Sequence, residues 1–184
     1  VDPDANVPLK DLYSYGTNSK NNSTQKLGLD GDQSYYDTDI FSKYPANLDE
    51  FKSTFVELLN QERQSRGLSP VSVDSDLSQI ANKRALDSQK INDLVHLDSA
   101  GNSIAAVYAK KAGLNVPPFS ECLGFVENAP TRMVVRESLR DYIYQDAASD
   151  WGHRNILLNP SYTRIGVGIT TAKNKMTVNA IEMY

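Results

Sequence analysis

The sequence predicts an α+β domain, and three observations carry that reading. Apolar residues recur at helical spacing over 48–59, 77–85 and 135–143, whereas the period shortens to two over 165–169 and 176–180. Helices first and antiparallel strands late make a layered α+β structure. With 184 residues, 40% of them hydrophobic and 23% charged, the chain has material for one core of ordinary size.

Each element follows from local signals. Pro45 stops any earlier helix, and Asn47 with Glu50 three residues on resembles a capping box. Leu48, Phe51, Phe55, Leu58 and Leu59 share one helical stripe, which Gly67 ends as a C′ residue. A short extended segment follows over 68–73. The second helix is predicted over 75–90, capped by Asp74, with Leu77, Ile80, Ala81 and Ala85 facing inward. Asp74-Ser75-Asp76 resembles the opening of a calcium loop but lacks the glycine and terminal glutamate, so it reads better as a cap. A third helix, rich in small residues, covers 103–112 and ends at Gly113. Pro117-Pro118 breaks the chain before a short apolar segment at 121–126, and a fourth helix runs over 131–145 on a stripe of Val135, Leu139, Tyr142 and Ile143. In the last strands Ile165, Val167 and Ile169 alternate with Gly166, Gly168 and Thr170, and Met176, Val178 and Ala180 alternate likewise. A polar turn at Lys173-Asn174-Lys175 joins them.

Composition narrows the function classes. Nineteen basic against 23 acidic residues give a net charge of −4, with no basic stripe of the kind that binds nucleic acid. The longest apolar run, 104–109, is far below the ~20 residues that span a bilayer. One cysteine, Cys122, closes no intrachain disulfide and makes no Cys-rich zinc site. Residues 1–46 stand apart, with seven acids, four lysines, many Asn, Ser and Tyr, and no sustained period. They read as a polar, tyrosine-containing arm or linker ahead of a domain at 47–184. Asn22-Ser23-Thr24 in that stretch matches a glycosylation acceptor. The chain opens Val1-Asp2-Pro3-Asp4, as would a chain whose leader has been removed or one that begins partway along a longer sequence.

Few residues can carry chemistry. His96 follows the second helix, where an imidazole either caps helix carbonyls or serves as a ligand or general base. His153 lies in Trp151-Gly152-His153-Arg154-Asn155, where Gly152 permits a tight turn and an indole, an imidazole and a guanidinium crowd together. That corner is either a structural loop or a site. Glu121 enters an apolar segment, where burial raises its pKa and a cationic partner, Arg154 or another base, keeps it ionised. Cys122 reads as a small buried hydrophobe, with a Cys–His nucleophile as the alternative. The acids of 146–150 read as a solvated loop beside Trp151. No nucleophile elbow, P-loop or H-E-x-x-H motif is present.

Four segments in order resemble the CAP superfamily, the SCP/PR-1-like or cysteine-rich secretory proteins. They are Leu59-Asn60-Gln61-Glu62-Arg63 with Gly67-Leu68-Ser69-Pro70-Val71; the helix 77–85; His96 with Gly101 and Ala112-Gly113; and Gly152-His153-Arg154-Asn155-Ile156-Leu157-Leu158-Asn159-Pro160 with Ile165-Gly166-Val167-Gly168. The last is the most specific, and the lack of disulfides is similar to bacterial members. The resemblance implies an α-β-α sandwich around a small central antiparallel sheet. It also implies a cleft holding His96, Glu121 and His153, with Trp151, Arg154 and Asn155 in support. Glu121 matches the glutamate of the family's G-E-N motif in degraded form, with Glu127 of Glu127-Asn128 as a competing match. The family's other glutamate has no match beyond a misplaced Asp98.

By this resemblance the chain is expected to be a secreted or cell-surface binding protein and a monomer. Its cleft would hold a divalent metal such as zinc on His96, Glu121 and His153, or a small ligand, a lipid or a cell-wall or protein partner. One alternative is a metal-dependent hydrolase using the same residues; another is a structural adhesin acting through the N-terminal arm.

Overall fold

The structure is a computed structural model that describes residues 47–171 and 176–184; the predicted arm at 1–46 and the turn at 173–175 lie outside the described residues. Helix α1 (Leu48–Gln64) starts where Asn47 Oδ1 accepts from the Glu50 N–H at 3.0 Å. The reciprocal half of the predicted capping box is not made, because the Asn47 N–H donates to Thr131 Oγ1 instead. Gly67, at φ 72°, ends the helix as predicted. The extended segment 68–73 yields strand β1 over Ser72–Val73. Helix α2 (Ser75–Ile91) is capped by Asp74, whose Oδ1 accepts from the N–H groups of Asp76 and Leu77 at 2.9 Å. Then come α3 (Ile104–Lys111), with Ser103 as its cap, β2 (Ser120–Glu127) and α4 (Thr131–Tyr144). A 3-10 turn at Ala147–Ser149 leads into a short helix, α5 (Gly152–Leu157), and strands β3 (Arg164–Thr171) and β4 (Met176–Met183) close the fold.

The sheet order is β1-β3-β4-β2. The three long strands are antiparallel, and the two-residue β1 adds to β3 in parallel. Side chains alternate across this sheet. On one face Cys122, Val126, Ile165, Val167, Ile169, Ile181 and Met183 join the main core with α1, α4 and α5. On the other, Leu123 and Ala180 meet Ala81 and Ala85 of α2, and α3 packs outside α2 through Ala105 and Ala109 against Leu77 and Ile80. The result is the expected α-β-α sandwich. Gly166 and Gly168 explain how tightly it closes: a Cβ on Gly166 would stand 2.2 Å from the Leu77 carbonyl carbon, and one on Gly168 2.1 Å from the Ala81 oxygen. Helix α2 therefore lies directly on the β3 backbone.

Arg63, in the last turn of α1, is fully buried at 0% exposure. It donates to the carbonyls of Ser69 (2.8 Å), Leu157 (2.8 Å), Asn159 (3.1 Å) and Tyr162 (2.9 Å). Burial pushes its pKa down, and these carbonyl dipoles, including the C-terminal end of α5, supply its compensation. Arg63 thus fixes α5 in place. Asn60 does a similar service nearby, its side-chain amide exchanging two hydrogen bonds with the backbone of Val71 at 2.8 and 3.0 Å.

Candidate functional site

The predicted residues form two separate carboxylate–imidazole pairs on either side of the edge strand β2. In the first, Glu121 at the start of β2 points to the α2 face, where His96 Nδ1–H donates to Oε1 at 2.7 Å and Arg84 Nε–H donates to Oε2 at 2.9 Å. A carboxylate only accepts, so this contact sets the His96 tautomer with the proton on Nδ1. Burial works to raise the Glu121 pKa, but the hydrogen bonds from His96 and Arg84, with the Arg84 charge, outweigh it and hold the carboxyl below its ordinary value. Arg84 is buried against Asp87 and the Val95 carbonyl as well, and its partners raise its pKa over the opposing effect of burial. The cation beside Glu121 is thus Arg84, and not Arg154 as one reading of the sequence had it.

In the second pair His153 Nδ1–H donates to Asp146 Oδ1 at 2.7 Å, and Asp146 Oδ2 accepts from the Arg154 backbone N–H at 3.0 Å. The acid read as part of a solvated loop is therefore buried. The His153 ring packs on Tyr142 with centroids 4.9 Å apart, and the Tyr142 hydroxyl donates to Asn179 Oδ1 at 2.6 Å. Gly124 makes room for that hydroxyl, since a Cβ there would stand 2.5 Å from it. The tight turn before α5 is made by Asp150 and Trp151, at φ 52° and 60°, rather than by Gly152. Trp151 is part-exposed with the Arg154 guanidinium 5.5 Å from its ring, and Asn155 is exposed.

A cleft of about 230 Å³ runs over the β2 edge, with Leu94, Phe125 and Val126 as apolar wall and Gln145, Asp146, Ser149 and His153 among its polar lining. His96 stands beyond that lining with 46% of its side chain exposed. Glu127 is exposed at the far end of β2, whereas Glu121 at its start is the one that meets an imidazole. Asp98 accepts from the N–H groups of Ala100 and Asn102 and shapes its own loop, so it is no cleft acid. Cys122 faces the main core, where burial first, and the charges of Glu182, Asp146 and Glu121 after it, push the thiol well up; it is no thiolate nucleophile.

Among the described residues no three His, Cys, Asp or Glu side chains gather to hold a metal ion. Zinc sites take three or four protein ligands. Here the strand divides His96 and Glu121 from His153, and both Glu121 oxygens already accept hydrogen bonds.

Residues 56–184 match the family described as CAP, the cysteine-rich secretory protein family. The chain belongs to the CAP family. It is similar to the uncharacterized protein YkwD of Bacillus subtilis, 28% identical over 131 residues that cover 71% of this chain and 47% of that one. The CAP domain thus spans about half of that relative. Among solved structures, the CAP domain of Enterococcal PrgA aligns with a TM-score of 0.55 at 20% identity, covering 100% of this chain and 81% of that one. An outer surface protein of Borrelia burgdorferi aligns with a TM-score of 0.57 at 12% identity, covering 75% and 96%. A cysteine-rich secretory protein of Staphylococcus aureus aligns with a TM-score of 0.53 at 19% identity, covering 74% and 39%. These likenesses show the fold. No helix of the described CAP domain is long and apolar enough to cross a membrane.

Proposed function

We propose that this CAP domain is a ligand-binding module acting outside the cell, and that the cleft over the β2 edge is its binding site. The observation that carries this is the fixed imidazole: buried Asp146 holds His153 by Nδ1, which leaves Nε2 as an acceptor beside Gln145 and Ser149 in a cleft with one apolar wall. A small molecule with hydroxyl or amide groups and an apolar edge suits that lining. Among the described residues both imidazoles bond to carboxylates and none to a hydroxyl or thiol, so no Ser–His or Cys–His nucleophile pair is formed. Action outside the cell is supported by structural neighbours described as secretory or as outer surface proteins.

The test is a titration with a fragment set of sugars and amides, followed by amide chemical shifts. Binders are expected to move Leu94, Phe125, Gln145 and His153 together. His153→Ala should weaken them about tenfold, the worth of one hydrogen bond of ~1.4 kcal/mol. Shifts that cluster elsewhere, or that survive His153→Ala unchanged, would contradict the assignment.

A further inference from the structure

Strand β2 is an edge strand of eight residues, since the sheet order places it beside β4 alone. The pairing shows which of its peptide groups face outward. Arg164 and Tyr184 exchange hydrogen bonds between β3 and β4: the Tyr184 N–H donates to the Arg164 carbonyl at 3.2 Å, and the Arg164 N–H to the Tyr184 carbonyl at 2.9 Å. In an antiparallel ladder such pairs alternate. Glu182, Ala180 and Val178 therefore turn their peptide groups to β3, and Ile181, Asn179 and Thr177 turn theirs to β2. The β2 partners of the second set are Cys122, Gly124 and Val126. Leu123, Phe125 and Glu127 thus aim N–H and C=O away from the sheet, and among the described residues no strand receives them.

Native sheets guard such edges with charge, proline, a short strand or a covering element. The opposite edge is guarded, because β1 has two residues between Pro70 and Asp74. On β2 the acids stand at Glu121 and Glu127, and Cys122-Leu123-Gly124-Phe125-Val126 between them carries neither charge nor proline. The cleft lies over this stretch: Gly124, Phe125 and Val126 line it. Leu94 walls it on the α2 side, and Gln145, Ser149 and His153 wall it on the α4 side. The floor of the groove is a row of donor–acceptor pairs that repeats every two residues, about 7 Å apart. An extended polypeptide carries the same repeat, and its side chains alternate between the two walls. A sugar or a single amide matches one pair at most. A second copy of the chain would bring its own Leu94 and His153 walls against these, which disfavours edge-to-edge pairing.

We infer that the cleft binds an extended segment of another polypeptide as an added strand on β2, held by the main-chain groups of Leu123, Phe125 and Glu127. The inference rests on the reading of the cleft as a ligand site and names the class of its ligand. Apolar side chains of the segment face Leu94, and hydroxyl or amide side chains of the other phase face Gln145, Ser149 and His153.

The test is amide NMR of the full chain titrated with short blocked peptides in which threonine alternates with valine, leucine or tyrosine. Bound peptide is expected to slow solvent exchange of the Leu123, Phe125 and Glu127 amides. Cys122, Gly124 and Val126, already bonded to β4, should stay unchanged. A ligand held by side chains alone does not produce that alternation. N-methylation of the peptide residues of one phase should abolish binding, and of the other phase leave it intact. Phe125→Pro removes an outward N–H and no bond to β4, and should weaken the peptide about tenfold relative to Phe125→Ala. If Phe125→Pro does not fold, the two methylated peptides decide. Equal effects of the two methylation patterns, protection without the alternation, or no binding by any of these peptides at millimolar concentration would overturn the inference. Protection of the three amides in the free chain would also overturn it, because the edge would then be taken by residues 1–46 or by a second copy. Fragments that bind beside His153 where no peptide binds would uphold the ligand reading and contradict this one. Peptide pairing that ignores His153→Ala would uphold the added strand and contradict His153 as the anchor.

Discussion

Replacing Gly166 with alanine is expected to destabilise the domain by at least about 3 kcal/mol, and replacing both Gly166 and Gly168 to prevent folding. The added methyl of Gly166→Ala would stand 2.2 Å from the backbone of Leu77, and that of Gly168→Ala 2.1 Å from the Ala81 oxygen. Neither obstacle is a side chain that can rotate away; each belongs to the helix that covers the sheet. Relief requires α2 to lift off β3, which unpacks Ala81 and Ala85 from Leu123 and Ala180 and carries Arg84 away from Glu121. Gly152→Ala is the control, because nothing lies within 4 Å of its Cβ position and its φ is not positive. Alanine there should be neutral or stabilising by up to ~1 kcal/mol. Urea unfolding midpoints of the three variants check this, and a Gly166→Ala variant within ~1 kcal/mol of wild type would contradict the close packing.

Arg63→Met should cost about 3–5 kcal/mol, although methionine keeps much of the buried stem. The loss lies in the guanidinium, which satisfies the carbonyls of Ser69, Leu157, Asn159 and Tyr162 at once. Left alone, a buried carbonyl costs ~1–3 kcal/mol, and Leu157 is wholly buried. Arg63→Lys should recover only part of this, because an ammonium lacks the planar fork that reaches several acceptors. Since Arg63 grips the end of the helix that carries His153, both variants should also broaden or shift the His153 resonances before the domain unfolds. An Arg63→Met variant with wild-type stability and an unmoved His153 would show that α5 is held by other means.

The strands and main helices are legible because their apolar periods are long and regular, from Leu48 through Ile143. Helix α5 is not: six residues carry too little pattern, and its position depends on Arg63, 94 residues before Leu157. The glycines of β3 are visible as an alternation, but a residue without a side chain reads the same whether it faces water or a helix. The candidate site is half legible. His96, Glu121 and His153 stand out as rare residues in recognisable motifs, yet their pairing joins positions 25 apart in one case and 7 in the other. Arg84 is hidden because it sits in the buried stripe with Leu77 and Ala81, where its charge is the signal that the stripe faces a carboxylate. Glu182 continues the even-numbered face of Val178 and Ala180, an acid where the pattern calls for an apolar residue. Asp146 gives the weakest sign, since an acid among acids before a tryptophan reads as solvated until the backbone folds it under His153.

The account turns on two imidazoles, each fixed through Nδ1 by its own carboxylate and independent of the other. Nitrogen NMR of the two histidine rings, at a pH where both are neutral, tests this most directly. Both rings of the wild type are expected to carry the proton on Nδ1, and Asp146→Ala should release His153 from that tautomer while leaving His96 unchanged. Protons on Nε2 in the wild type, or a response of both rings to Asp146→Ala, would contradict the arrangement.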